Sequence, residues 1–190
     1  MSSGQHIAIA GAGPVGAVAA LALQQRGFAV TIIDRIKPMP GPHGLGMDIR
    51  NVALSRGSRQ LIESLITWPQ QAGMFKTMHV WEQWGVNALN FDAAELGSDC
   101  LGWIAEVAPL LQALWQQLEA NADIRVVLGD IQAVETDATG VMVTVAEETL
   151  HADFLFAADG ARSAVRNLLE VATDIWPTGQ SALTTVVETE

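Results

Sequence analysis

Short apolar runs, several of them closed by a glycine or an aspartate, alternate along the chain with amphipathic stretches of helical period. That alternation is the pattern of an α/β fold. His6–Ala10 predicts a strand that runs straight into Gly11-Ala-Gly13-Pro14-Val-Gly16. A helix is predicted over 15–25, stopped by Gly27, and a second strand over 28–33 with Asp34 at its end. Residues 36–47 hold three prolines and three glycines and read as loop. Helical spacing resumes near Asn51, where Leu54, Leu61, Ile62, Leu65 and Ile66 form one stripe. Asp48 or Asn51 is its expected cap and Trp68-Pro69 its end. Residues 74–107 read as a different layer of three extended runs, MHVWEQWG, NALNFDAAEL and CLGWIAEV, with breaks at Gly85 and Asn87. Pro109 opens an amphipathic helix with Leu111, Leu114, Trp115 and Leu118 on one face. Ile124–Leu128 suits a parallel sheet, and 131–135, the turn at 137–140, 141–145 and 149–151 predict a three-stranded meander. A further buried strand, 154–158, delivers Asp159-Gly160 into a helix beginning near Ser163, and a last apolar strand is expected from Ser181.

The opening strand–turn–helix–strand unit carries the first chemistry. Gly11 permits a tight turn out of the strand, Gly13 lets the backbone approach a pyrophosphate, and Gly16 lets the helix lie close on the sheet. The free N–H groups and positive dipole end of that helix then face anionic phosphates. Asp34 is placed to accept hydrogen bonds from a ribose diol. A GxGxxG alone is weak evidence; here the strand, the helix and the strand-end acid accompany it. The plainer reading is a βαβ unit whose glycines serve packing only. Nothing in the unit separates FAD from NAD, since both share the adenosine-diphosphate grip.

Composition narrows the classes. At 190 residues, one domain plus part of another is expected, and a hydrophobic fraction of 49% with mean hydropathy +0.25 excludes a disordered chain. A net charge of −11 argues against nucleic-acid binding, which needs a basic face. The single cysteine, Cys100, excludes an internal disulfide and a multi-cysteine metal site, and reads as a buried small hydrophobe in a reducing cytoplasm. No secretory signal is expected, and the longest apolar run is too short to span a bilayer.

Several residues invite a functional reading with a plainer one beside it. His43 reads as a solvated loop histidine rather than a ligand or base, and His79 and His151 as sheet-surface residues rather than catalysts. Arg50, at an expected helix start, opposes the dipole there and so calls for an anionic partner; a plain surface arginine is the alternative. Trp81, Trp84 and Trp103 either line an aromatic substrate pocket or fill core, and core filling is the preferred reading.

The order of nucleotide-binding βαβ, inserted β layer, helix, strand, meander and strand-DGxxSxxR resembles the aromatic-ring hydroxylases of the group A flavoprotein monooxygenases. Within them it is most similar to the ubiquinone-biosynthesis hydroxylases. GAGPVG with its strand-end acid, DIRNVALSRGSRQLIESL, LLQALWQQL and AADGARSAVR carry the resemblance, over residues 6 to about 170. It implies a Rossmann-like FAD-binding domain with a β-meander crossover and part of an inserted β-sheet substrate domain. Residues 1–73 and 108–172 would form the FAD-binding domain, 74–107 the first substrate-domain layer and 173–190 the start of its next part.

Site roles follow from the same resemblance. Gly11, Gly13, Pro14 and Gly16 would hold the FAD pyrophosphate, Asp34 the adenosine ribose with Arg35 beside it, and Ile131 the adenine through its backbone. Arg50 and Gln112 would reach the flavin side. Asp159 and Gly160 would lie near the pyrophosphate-ribityl region, with Arg162 and Arg166 organising that loop and NAD(P)H access. Family members more often carry glutamate where Asp34 stands, one methylene longer. NAD(P)H would reduce the flavin, and O2 would supply an oxygen atom to a polyprenylated phenol; no acid-base catalyst is located.

The resemblance also implies a cytoplasmic protein or one peripheral at the inner face of the membrane, with association in a biosynthetic complex or as a homo-oligomer. Family members run to about twice this length and carry a second Gly-Asp segment, so an amino-terminal fragment is expected. Another FAD or NAD(P) oxidoreductase of the same fold, or a silent FAD-binding scaffold, is the alternative.

Overall fold

The computed structural model describes residues 4–38, 48–69, 72–82, 85, 88–185 and 187. In chain order the elements are β1 (His6–Ala10), α1 (Pro14–Gln25), β2 (Ala29–Asp34), β3 (Asn51–Leu54), α2 (Arg56–Glu63), β4 (Gly73–Phe75), β5 (Thr77–Trp81) and β6 (Ala88–Asp92). A 3-10 turn (Ala93–Leu96) leads to β7 (Gly102–Glu106), α3 (Val107–Ala120), β8 (Ile124–Leu128), β9 (Ile131–Asp137), β10 (Gly140–Val145), β11 (Glu148–Ala152), β12 (Phe154–Ala157) and α4 (Ala164–Leu168). The fold is α/β, and it divides into two compact units, Met1–Pro40 with Leu111–Thr184 and Gly41–Leu110 with Thr185–Glu190.

The first unit is built on a parallel sheet of order β12-β1-β2-β8. Its two central strands are almost wholly apolar and buried (Ala8, Ile9, Ala10, Val30, Ile32, Ile33), as expected where both faces are covered. α1 buries only small residues and one leucine, Gly16, Ala17, Ala20 and Leu21, so it lies close against the strands. The meander β9–β10–β11 is antiparallel, and Val141, Val143 and Val145 alternate inward on its middle strand. They close a core with Ala8, Ile33, Val134, Leu150 and Ala152. Asp137 opens the predicted turn by accepting the Thr139 N–H at 2.6 Å and the Gly140 N–H at 3.2 Å.

The second unit holds the antiparallel sheet β3-β7-β4 and the ribbon β5–β6. Cys100 is buried. His79 lies on the exposed ribbon, its Nδ1 2.5 Å from Asn90 Oδ1, and His151 is an exposed residue of β11.

Several sequence expectations need correction. The helix expected from Asn51 is a strand over Asn51–Leu54, because these residues pair with Trp103–Glu106 of β7; the helix itself starts at Arg56 and ends at Glu63. Its cap is Ser55, whose hydroxyl accepts the Ser58 N–H at 3.2 Å, not Asp48 or Asn51. The strand β12 is not buried: it is the edge of the sheet, with Phe154 56% and Phe156 44% exposed. No strand forms among the described residues from Ser181 onward, where the segment is exposed. The preference for tryptophans as core fails at Trp81, which is 71% exposed, while Trp103 stacks under the Arg59 guanidinium at 4.2 Å from its ring centre. Trp84, Asn87 and His43 lie outside the described residues. α3 also starts two residues earlier than expected, and its buried stripe is Leu110, Leu114, Trp115 and Leu118, with Leu111 only half-buried.

Candidate functional site

The site forms where β1 and β12, adjacent and parallel, both end in a glycine-containing turn. Gly11 turns the chain out of β1 with φ +94°, a conformation that L side chains rarely adopt, and its N–H donates to Ile33 O at 2.7 Å. A Cβ on Gly11 would stand 2.5 Å from Ala158 O, and one on Gly16 would strike the Gly11 carbonyl oxygen. These two positions therefore need glycine for packing. Gly13 differs, because a Cβ there meets nothing within 4 Å. Its lack of a side chain leaves open space over the amino end of α1, which Pro14 begins and no side chain caps.

A crevice of about 580 Å³ opens there, lined by Gly11, Gly13, Pro14, Asp34, Arg35, Ile131, Asp159 and Gly160 of the expected set, together with Arg162. Gly16 lies buried behind the turn. Gln112 is exposed on α3 and does not line the crevice. Arg50 belongs to the second unit. It precedes a strand, not a helix, and its anionic partner is Asp48, 3.2 Å from Nη2. Val15, Gly129, Asp130, Ala158 and Ala164 also line the crevice. Gly129-Asp130 was visible as a Gly-Asp pair directly after an apolar strand, and the Gly129 N–H donates to Asp34 O at 2.9 Å.

Charge sorts the lining. Asp34, Asp130 and Asp159 share the lining with two arginines, Arg35 and Arg162, neither of which makes a side-chain hydrogen bond or ion pair among the described residues. Carboxylates can only accept, so they suit sugar hydroxyls; the uncapped helix start and the guanidiniums suit phosphates. Asp34 sends Oδ2 to the Ala12 N–H at 2.6 Å, and its Oδ1 has only a long 3.5 Å contact to the Ile36 N–H. Asp159 receives the Val165 N–H at 3.1 Å. Burial acts to raise its pKa but is outweighed by hydrogen bonds from Ser163 and the Val165 N–H, so its carboxyl titrates below the usual range. It is an anion at neutral pH, fixed by the first turn of α4. Arg166 serves the same loop, donating to Ala161 O at 2.7 Å.

An uncapped helix start and a strand-end acid, together at the carboxyl ends of a parallel sheet, are the features of the dinucleotide-binding α/β class. Within it the chain belongs to the FAD binding domain family, which matches residues 5–177. It is 35% identical over 191 residues to 3-demethoxyubiquinol 3-hydroxylase of Escherichia coli (strain K12), covering 97% of this chain and 49% of that protein. Ubiquinone hydroxylase UbiL of Rhodospirillum rubrum is 27% identical over 189 residues, covering 97% of this chain and 44% of the relative. The fold matches P. aeruginosa PqsL with a TM-score of 0.72 at 18% identity, over 92% of this chain and 48% of that one. The chain thus spans about half the length of these relatives. Among the described residues no helix is long and apolar enough to cross a membrane.

Proposed function

We propose that these residues form the FAD-binding part of a flavin-dependent hydroxylase that acts on a polyprenylated phenol or quinol, with NAD(P)H as reductant and O2 as oxygen donor. One observation carries the reading: the turn after β1 and the Asp159-Gly160 turn after β12 line a single crevice. A pure packing role for the glycines would require neither the open space at Gly13 nor the uncapped helix. The substrate class rests on the likeness to the E. coli relative, which is named a demethoxyubiquinol hydroxylase.

In this proposal the α1 N–H groups, with Arg35 and Arg162, hold the diphosphate, Asp34 the adenosine ribose, and the Ile131 backbone the adenine. Asp159, held ionised, accepts from hydroxyls on the ribityl side, and Gly160 keeps that approach free of a side chain. Arg50 and Gln112 are assigned to the flavin end, 74–107 to the substrate-facing layer and 173–190 to its continuation. The bound flavin supplies electron transfer from NAD(P)H and activation of O2; the protein orients the ring and excludes water. The polyprenyl substrate class suits a peripheral position on the inner membrane face.

The test is direct. The purified protein should take up FAD, with a visible flavin spectrum, and oxidise NAD(P)H faster when a prenylated phenol is added. A colourless protein that neither FAD nor ADP reconstitutes overturns the proposal. A flavin-bearing protein indifferent to phenols retains FAD binding and loses the hydroxylase assignment.

A further inference from the structure

Ala12, between the two crevice-lining glycines, has the peptide groups on both its sides tied by side chains from distant elements. Its N–H donates to Asp34 Oδ2 at 2.6 Å, and its carbonyl accepts the Trp115 indole N–H at 2.9 Å, wholly buried. Trp115 is 2% exposed and Ala12 1% exposed, and neither lines the crevice. A buried indole N–H needs some acceptor; its choice of this particular carbonyl is what carries consequence. Every peptide bond described here is trans. A trans peptide sets its C=O and the following N–H on opposite sides. Drawing the Ala12 carbonyl toward α3 therefore turns the Gly13 N–H away from α3, and Gly13 lines the crevice. Among the described residues that N–H has no hydrogen-bond acceptor.

We infer that Trp115 is a positioning residue for diphosphate binding: its indole N–H, working against Asp34, fixes the Ala12–Gly13 peptide so that the Gly13 N–H is presented to the phosphates. The inference rests on the FAD-binding reading above and adds a residue to it. A Gly-Ala-Gly segment has wide conformational freedom, and any ligand that had to freeze it would bind more weakly. Anchoring the peptide groups on either side of Ala12 removes that cost before the ligand arrives. The arrangement also divides Asp34 in two, one oxygen for the loop and one left for the ribose.

The experiment compares ADP, FAD and adenosine binding by calorimetry to the full chain and to two variants. Trp115→Phe keeps a ring but loses the donor; replacing Trp115 by 3-benzothienylalanine keeps the indole shape and loses only the N–H, so it decides the matter if the phenylalanine variant does not fold. ADP and FAD affinity should fall about five- to tenfold, the size of one lost hydrogen bond, while adenosine binding, which lacks phosphate, stays within twofold. Amide exchange over residues 11–16 in the free protein should also accelerate in both variants. Unchanged ADP affinity, or equal losses for ADP and adenosine, overturns the positioning role while leaving FAD binding intact. A parent chain that binds neither ADP nor FAD overturns both readings together.

Discussion

Among the described residues, the amino ends of the four α-helices are finished in two different ways. α2, α3 and α4 each have first-turn N–H groups met by side chains. Ser55 takes the Ser58 N–H at 3.2 Å, Asp48 takes the Ala108 N–H at 3.0 Å, and Ser163 and Asp159 take those of Arg166 at 3.0 Å and Val165 at 3.1 Å. α1 has no side-chain cap; it starts Gly13-Pro14-Val15 and opens on the crevice. Capping is worth about 1 kcal/mol and is chemically easy. A helix that forgoes it keeps its orphan donors open to water or to an anionic ligand. In the proposed function, the difference separates a helix end that serves folding from one that serves binding.

The closed extreme is Asp48, and removing it should have the largest effect. Its carboxylate is fully buried and accepts from the Arg50 N–H at 3.0 Å, Arg50 Nε at 3.3 Å and Nη2 at 3.2 Å, besides Ala108. Its own N–H donates to Glu106 Oε2 at 2.9 Å, so the residue ties the approach to β3 to the start of α3. Asp48→Ala should cost about 3 kcal/mol in denaturant unfolding, since it strands a helix N–H and removes several charge-assisted bonds. Burial acts to raise the pKa of Asp48, but the Arg50 and Ala108 hydrogen bonds outweigh it and the net shift is downward. A group with a depressed folded pKa adds stability above its unfolded pKa and loses it as pH falls through the folded value. Acid unfolding of the parent chain should therefore steepen below about pH 4. Asp48→Asn should reduce that slope without abolishing it, because Asp159 and Asp137 are shifted the same way. A variant with the parent's acid profile would show that Asp48 does not carry the linkage.

The open extreme is probed by Gly13→Val. No atom lies within 4 Å of a Cβ at this position, so folding stability should change by less than about 1 kcal/mol. FAD affinity should nevertheless fall about 100-fold, roughly 2.7 kcal/mol, because the branched side chain occupies the approach to the helix end. Fluorescence titration with FAD, alongside a melting curve, separates the two quantities. If binding survives, the absence of a side chain at Gly13 has no bearing on the ligand.

How much of this was legible beforehand depended on the reach of each interaction. The unit from β1 to β2 could be read residue by residue, because its periods, its glycines and Asp34 lie within one local stretch. The Asp137 turn was equally local. Asn51–Leu54 reads as helix because Leu54 fits a helical stripe as well as a strand; the decision belongs to Trp103 and its neighbours on β7, far along the chain. Ser55 was a local cap signal that the longer stripe obscured. Asp48 looked like a cap for the nearest helix, yet it serves Ala108 on another. Trp115 read only as core, since its acceptor lies more than a hundred residues earlier, at Ala12. The edge exposure of β12 likewise depends on which strands flank it, something its own apolar run does not encode.

The smallest expected effect tests the comparison most closely. Gly13 occupies the cap position of α1 with φ −65° and ψ −178°, extended values that a serine there would adopt without strain. Gly13→Ser should thus supply the missing acceptor and stabilise the ligand-free chain by a few tenths of a kcal/mol, about one or two degrees in melting temperature. The same hydroxyl would occupy the N–H groups that a diphosphate needs, so FAD affinity should drop by about threefold as stability rises, an opposition typical of sites that withhold folding energy for binding. Should the serine variant melt higher and bind FAD equally well, the bare helix end would be an unfilled cap and nothing more. Should it melt higher and bind less, the donors of α1 are shared between folding and ligand, and the contrast with α2, α3 and α4 marks function.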